Sequence, residues 1–182
     1  MTKDPTPIRV IEVVPYDPAW PAQFEAIAAS IRAKLGPLAL SVEHVGSTSV
    51  PGLAAKPIID LDVVISSRLR LPEVISKLAE LSYVHEGNLG IPGREAFMWP
   101  AGSQRHHLYV CSVNTPNLHY HLLFRDYLRQ HPEKALEYGQ LKEKLARGFP
   151  HDIDGYMLGK QDLISRIMQE AEALSGFDLH QP

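Results

Sequence analysis

The residues of this sequence best suited to chemistry are two aspartates two positions apart in an apolar run. Asp60 and Asp62 lie within Pro57–Ile65, the most strand-like segment of the chain. Because side chains alternate along a strand, both carboxylates project from the same face, where Ile58 and Val64 flank them. Two such charges about 5 Å apart repel by ~3 kcal/mol at an effective dielectric near 20. A divalent cation bound by both would reverse that sign, whereas acids bonded to loops at a solvated strand end are the alternative.

A glycine-serine pair precedes these aspartates at a fixed distance. Gly46 and Ser47 follow an apolar run, and the twelve residues from 48 to 59 separate Ser47 from Asp60. Glycine lets the backbone approach a ligand closely, and the hydroxyls of Ser47 and Thr48 can hold phosphate oxygens. An ordinary turn is the alternative interpretation. The segment is not a P-loop, because no Gly-Lys-Ser/Thr follows.

A later strand supplies a histidine, but it adds no third carboxylate to Asp60 and Asp62. The residues that share one face of this strand include no carboxylate; they are Arg105, His107, Tyr109 and Cys111. His107 is a candidate general base, because an unperturbed histidine titrates near pH 6.5, but binding a phosphate or capping the core would suit it equally. Glu95 is the alternative third acid.

Two helices of the last third add basic candidates. In the helix predicted from Asn117 to Gln130, Arg125 belongs to a stripe of basic residues spaced four apart, which is either a solvated face or a phosphate clamp. In the helix predicted from about Asp152 to Leu174, Lys160 falls in register with the apolar face. Its amine would either extend to water or reach an anion such as a triphosphate.

A mixed sheet followed by helices must position these side chains, so the sequence predicts an α+β fold in a single domain, residues 1–182. Residues 9–115 would form the sheet core with flanking helices, and residues 116–174 a helical C-terminal third. The predicted strands are Arg9–Val14, Leu38–Val45, Pro57–Ile65, Glu95–Trp99 and His107–Val113, and the other predicted helices lie between Tyr16 and Gly36, from Pro72 to Leu81 and from Pro132 to about Gly148.

Composition excludes several classes of protein. The 182 residues are 45% hydrophobic and 21% charged, so the chain can form a core. A net charge of -3 argues against general nucleic-acid binding. The single cysteine, Cys111, excludes a disulfide framework. No segment has the length of a membrane span or the order of a signal peptide, so we expect a cytoplasmic protein that does not bind membranes.

The stretch HVGSTSVPGLAAKPIID, from His44 to Asp60, resembles the GrpB family. Gly-Ser followed by Asp-Leu-Asp is similar to the signature of the nucleotidyltransferase superfamily. Four later blocks also match the family, namely Gly93-Arg94-Glu95, His106-His107-Leu108, Phe124–Arg129, and Tyr156 with Lys160. The resemblance extends from about residue 10 to 170.

The resemblance implies a nucleotidyltransferase-like fold that binds a nucleoside triphosphate with Mg²⁺ or Mn²⁺ and, if active, transfers a nucleotidyl group to an acceptor hydroxyl. Asp60 and Asp62 would bind the metal, and Asp60, Asp62 and His107 would be the catalytic residues. The ligand-binding set would be Gly46, Ser47, Thr48, Lys56, Arg94, Arg105, Arg125 and Lys160. Two departures weaken catalysis: no third carboxylate is evident, and Tyr109 stands where much of the family has histidine. The alternatives are a non-catalytic binder of a nucleotide or phosphorylated metabolite, and an interaction protein that uses the helical third.

Overall fold

A five-stranded mixed sheet forms the centre of the computed structural model, which describes residues 10–176. Its order is β1-β2-β5-β4-β3; only the β2–β5 pair is parallel, and the other three pairs are antiparallel. The strands are β1 (Ser41–Val45), β2 (Ile59–Ile65), β3 (Val84–Gly87), β4 (Arg94–Met98) and β5 (His106–Ser112). The sheet with flanking helices confirms the predicted fold class. The aspartate strand β2 is an interior strand, whereas β5 occupies the centre.

The described residues form six α-helices: α1 (Trp20–Leu35), α2 (Leu71–Ala79), α3 (Pro116–Gln130), α4 (Pro132–Gly148), α5 (Ile153–Leu158) and α6 (Gln161–Ser175). One face of β2 carries Leu61 and Val63, which join the main apolar core with side chains of α1 and α2. On the other side α3 contacts β1 and β5 and packs against α4 and α6. A second apolar cluster lies among these three helices. The polar face of β2 is therefore enclosed by the helical third.

Two expectations about the elements were wrong, and one strand was not expected. The described part of Arg9–Val14 forms only an isolated bridge between Val14 and Ala55; Arg9 lies outside the described residues. Strand β3 was not anticipated. The helix expected from Asp152 to Leu174 is two helices, because the chain turns at Gly159, where a Cβ would lie 2.4 Å from a methyl carbon of Leu145.

Strand register brings the candidate side chains to one face of the sheet. Asp60 on β2 pairs with Val45 of β1 and with His107 of β5. Asp62 pairs in the same way with Glu43 and with Tyr109. Residues directly opposite one another in a sheet project to the same side. Sequence-distant acids and a histidine are therefore neighbours under α3.

Gly46 is required by Asp60 itself. The glycine has a φ of 69°, and a Cβ built on it would lie 2.2 Å from Oδ2 of Asp60 and 3.0 Å from its Cβ. We expected this glycine to let the backbone approach a ligand. Instead the Asp60 carboxylate occupies the space that a side chain at position 46 would need.

We expect Gly46→Ala to destabilise the protein more than Gly52→Ala. Both positions have positive φ, so alanine costs ~1–2 kcal/mol of backbone strain at each. Only position 46 adds a steric clash, since nothing lies within 4 Å of a Cβ at Gly52, and overpacking costs ~1–3 kcal/mol more. Urea unfolding of the two variants measures this difference. Equal losses would show that Asp60 does not constrain the loop.

Candidate functional site

A cavity of about 500 Å³ opens between the Asp60 face of the sheet and helices α4 and α5. It brings together seven of the residues singled out from the sequence: Ser47, Thr48, Lys56, Asp60, Arg105, His107 and Lys160. Asp60 is the only carboxylate among its described lining residues, whereas four lining residues are lysine or arginine. The cavity is therefore predominantly basic.

Two lysines of this cavity are buried, and a third, Lys56, is half-buried. Lys142 on α4 is 2% exposed, and its Nζ has no hydrogen-bond partner among the described residues. Lys160, between α5 and α6, is 8% exposed. The amines lie over tyrosine rings: Lys142 is 4.4 Å from the ring centre of Tyr138, and Lys160 is 4.6 Å from that of Tyr156. Such contacts compensate only part of the lost hydration of an ammonium group.

The lysines depress one another's affinity for protons. Burial lowers the pKa of Lys142 well below its usual value; the charge of Lys160 lowers it further, and Asp60 opposes the change. Burial, reinforced by the charge of Lys56, lowers the pKa of Lys160 to about 8, again against Asp60. Burial is also the main cause of the lowered pKa of Lys56. One carboxylate does not balance these cations, so a bound anion would stabilise their charged forms.

Asp60 orients a histidine at the floor of the cavity. Its Oδ1 accepts a hydrogen bond from Nδ1 of His107 at 2.7 Å. Both side chains are partly exposed and both line the cavity. With Nδ1 bonded to the carboxylate, Nε2 is the ring nitrogen available to take a proton from a ligand. The pair has the arrangement of an oriented general base.

Asp62 has a different environment from Asp60. Its side chain is fully buried, and Oδ2 accepts a hydrogen bond from Nδ1 of His121 on α3 at 2.7 Å. The other oxygen, Oδ1, is buried without a hydrogen-bond partner among the described residues. Asp62 therefore lies beneath α3, with one carboxylate oxygen still to be satisfied.

The basic stripe of α3 attaches this helix to the sheet. His121 bonds to Asp62, and Arg129 donates to the Ser49 carbonyl oxygen at 3.0 Å. Arg125 donates to Glu43 at 2.9 Å and also pairs with Asp126. Arg125 does not line the cavity, because the carboxylates of Glu43 and Asp126 hold its guanidinium elsewhere. Its binding to a ligand phosphate stays a prediction.

Four other candidate residues make contacts within the protein that keep them from a ligand in the cavity. The Thr48 hydroxyl is buried, 3.0 Å from the His44 ring nitrogen and 3.4 Å from the Ile58 carbonyl, so it is not available to phosphate. Arg94 lies over the Tyr109 ring at 4.2 Å, outside the cavity lining. The Asp60 carboxylate occupies the space beside Gly46, so a ligand cannot approach the backbone there. Glu95 projects to the opposite face, where it binds Arg68 and His85, so it cannot be the third acid.

Lys142 is the main residue that sequence reasoning missed. It lies in a buried stripe of α4 with Ala135, Tyr138 and Gly139, and this helical spacing was visible in the sequence. The same argument had selected Lys160. That lysine is indeed buried, but at the start of α6 rather than within one long helix.

Among residues 10–176, no group of three or more histidine, cysteine, aspartate or glutamate side chains is arranged to hold a metal ion. Asp60 and Asp62 provide two carboxylates on one face of β2, and Oδ1 of Asp62 has no hydrogen-bond partner among the described residues. No helix in this part of the chain has the length and apolar character needed to cross a membrane.

Comparisons with known proteins agree on the fold. A sequence model described as "GrpB protein" matches residues 10–170. "UPF0157 protein YqkA" of Bacillus subtilis is 34% identical over 166 residues, covering 91% of this chain and 48% of that protein. The chain thus spans about half the length of this relative.

Two solved structures extend the agreement. The crystal structure of the conserved protein GrpB from Enterococcus faecalis has a TM-score of 0.82 at 38% identity, covering 91% of this chain and all of that one. The Cid1 poly(U) polymerase with MgGTP bound has a TM-score of 0.52 at 16% identity, covering 74% of this chain and 44% of that one. The second match shows the nucleotidyltransferase-like fold alone.

Proposed function

This chain belongs to the GrpB family, and from its cavity we propose that it binds the phosphate chain of a nucleoside triphosphate or a similar phosphorylated small molecule. The observation that carries the proposal is the buried Nζ of Lys142, which has no hydrogen-bond partner among the described residues and lies in a cavity shared with Lys56 and Lys160. A buried amine without a partner is costly in a folded protein. A phosphate chain would supply the missing acceptors.

The cavity suits a ligand with several linked phosphates better than a ligand with a single carboxylate. Lysines on three separate segments contribute to it, with Arg105 nearby on the same wall. Ser47 and Tyr138 also line the cavity and add hydroxyl groups. A diphosphate or triphosphate carries two or more negative charges in a row, which matches spaced cations. That a nucleotide carries these phosphates is supported only by the fold that the chain shares with the Cid1 polymerase.

A second candidate function is metal-dependent nucleotidyl transfer, and the unsatisfied Oδ1 of Asp62 favours it. Asp60 and Asp62 would hold one Mg²⁺ or Mn²⁺, and a bound ion would neutralise charge on the reacting phosphate. Glu43, which lies opposite Asp62, is paired with Arg125. It therefore does not replace the third acid.

In such a transfer the residues of this chain would have two tasks, to accept a proton and to stabilise the leaving group. His107, oriented by Asp60, would accept the proton of the acceptor hydroxyl at Nε2. The acceptor oxygen would then bond to the α-phosphorus as the bond to the bridging oxygen breaks. Lys142 and Lys160 would stabilise the charge on the leaving pyrophosphate.

Lys142→Met should abolish most phosphate binding while the protein remains folded. Methionine keeps the length and the apolar contacts of the stem but removes the amine. We expect tripolyphosphate and ATP to raise the melting temperature of the wild type, and their affinity to fall ~30-fold or more in the variant. Lys144→Met, at an exposed position of the same helix, is the control and should bind normally. Normal binding by Lys142→Met would refute the proposal.

Asp60→Asn should remove the additional stabilisation that Mg²⁺ gives to ATP binding. Tripolyphosphate binding without metal should be kept or strengthened, because the cavity then loses its one negative charge. Thermal shifts with and without MgCl₂ measure both effects, and Asp162→Asn, at an exposed position of α6, is the control. An unchanged Mg²⁺ effect in Asp60→Asn would contradict metal binding at this site.

A further inference from the structure

A second cavity adjoins the basic one. Its volume is about 340 Å³, and it lies between the segment that starts at Val10 and the start of α5. Four residues line both cavities: Lys56, Ile58, Arg105 and Ile153. The two spaces therefore share one wall, with two basic and two apolar side chains at the boundary.

The remainder of the second cavity is largely apolar. Val10 and Ile11 line it with the shared isoleucines, and His151 is its other polar side chain. No carboxylate or carboxamide side chain is among its described lining residues. Such a surface offers little hydrogen bonding to a ligand and favours burial of carbon.

We propose that the second cavity binds an apolar alkyl or aryl group attached to the phosphate chain held by the lysines. The ligand is then an amphiphilic phosphorylated small molecule, whose charged end lies in the basic cavity and whose carbon end lies against Ile11 and Ile58. Lys56 and Arg105 stand where the two ends meet. This inference rests on the proposed phosphate site and adds the chemical class of what the phosphate carries.

Burial of carbon sets the size of the expected effect. Each fully buried methylene raises affinity about fourfold. A hexyl chain that enters the cavity only in part should therefore strengthen binding at least ~10-fold over a methyl group. A phosphate ligand whose carbon end stayed in water would show no such increase.

The test compares methyl, hexyl and phenyl diphosphate by isothermal titration calorimetry. We expect hexyl and phenyl diphosphate to bind the wild type at least ~10-fold more tightly than methyl diphosphate. Ile11→Ala should reduce that gain at least ~3-fold, because Ile11 lines the second cavity and not the first. Val13→Ala is the matched control: Val13 packs on the same apolar cluster as Ile11 but does not line the second cavity.

Each outcome decides between the two proposals. If no diphosphate binds, the phosphate site is refuted. If all three diphosphates bind equally, the phosphate site stands and the apolar subsite is refuted. A gain that Ile11→Ala leaves intact would also refute the subsite. Because Ile11 is buried, Val10→Ser, at a position 60% exposed, provides a second variant that should lower the gain without loss of stability.

Discussion

The position of the Asp60 carboxylate is the constraint on which the site depends. It fills the space beside Gly46, orients His107 through a 2.7 Å hydrogen bond, and raises the pKa of Lys142 and of Lys160 against the effect of burial. Without this acid, the neighbouring charges around each lysine would be mainly those of the other lysines, which lower its pKa. One carboxylate therefore connects the loop after β1, the centre of the sheet and the helical third.

The three acids on this face of the sheet divide into two groups. Glu43 and Asp62 are held by Arg125 and His121 of α3, so they stabilise the docking of a helix. Asp60 remains partly exposed to the cavity. This division explains how an acidic strand can face basic helices and still leave positive charge for a ligand.

Pattern within single elements was readable from the sequence. Alternation along β2 placed both aspartates on one face, and the bounds of α4 were as predicted. Strand register and the side-chain contacts between elements could not be predicted from the sequence. The cross-strand position of Glu43 depends on the β1–β2 register, and the ion pair of Arg125 depends on that glutamate. The burial of Lys142 was predictable in principle, since its helical stripe carries Tyr138 and Gly139 before it and Ala146 after it.

The central claim is that buried lysines with lowered pKa values form an anion site. The most direct test is whether the protein takes up protons when the anion binds. Calorimetric titration of tripolyphosphate in two buffers of different ionisation enthalpy counts the protons exchanged. Because an anion favours the charged amines, the account predicts net uptake at pH values above about 8, the pKa of Lys160, and affinity that falls as pH rises through this range. Binding without proton uptake and with constant affinity from pH 7 to 9 would contradict it, as would no binding at all.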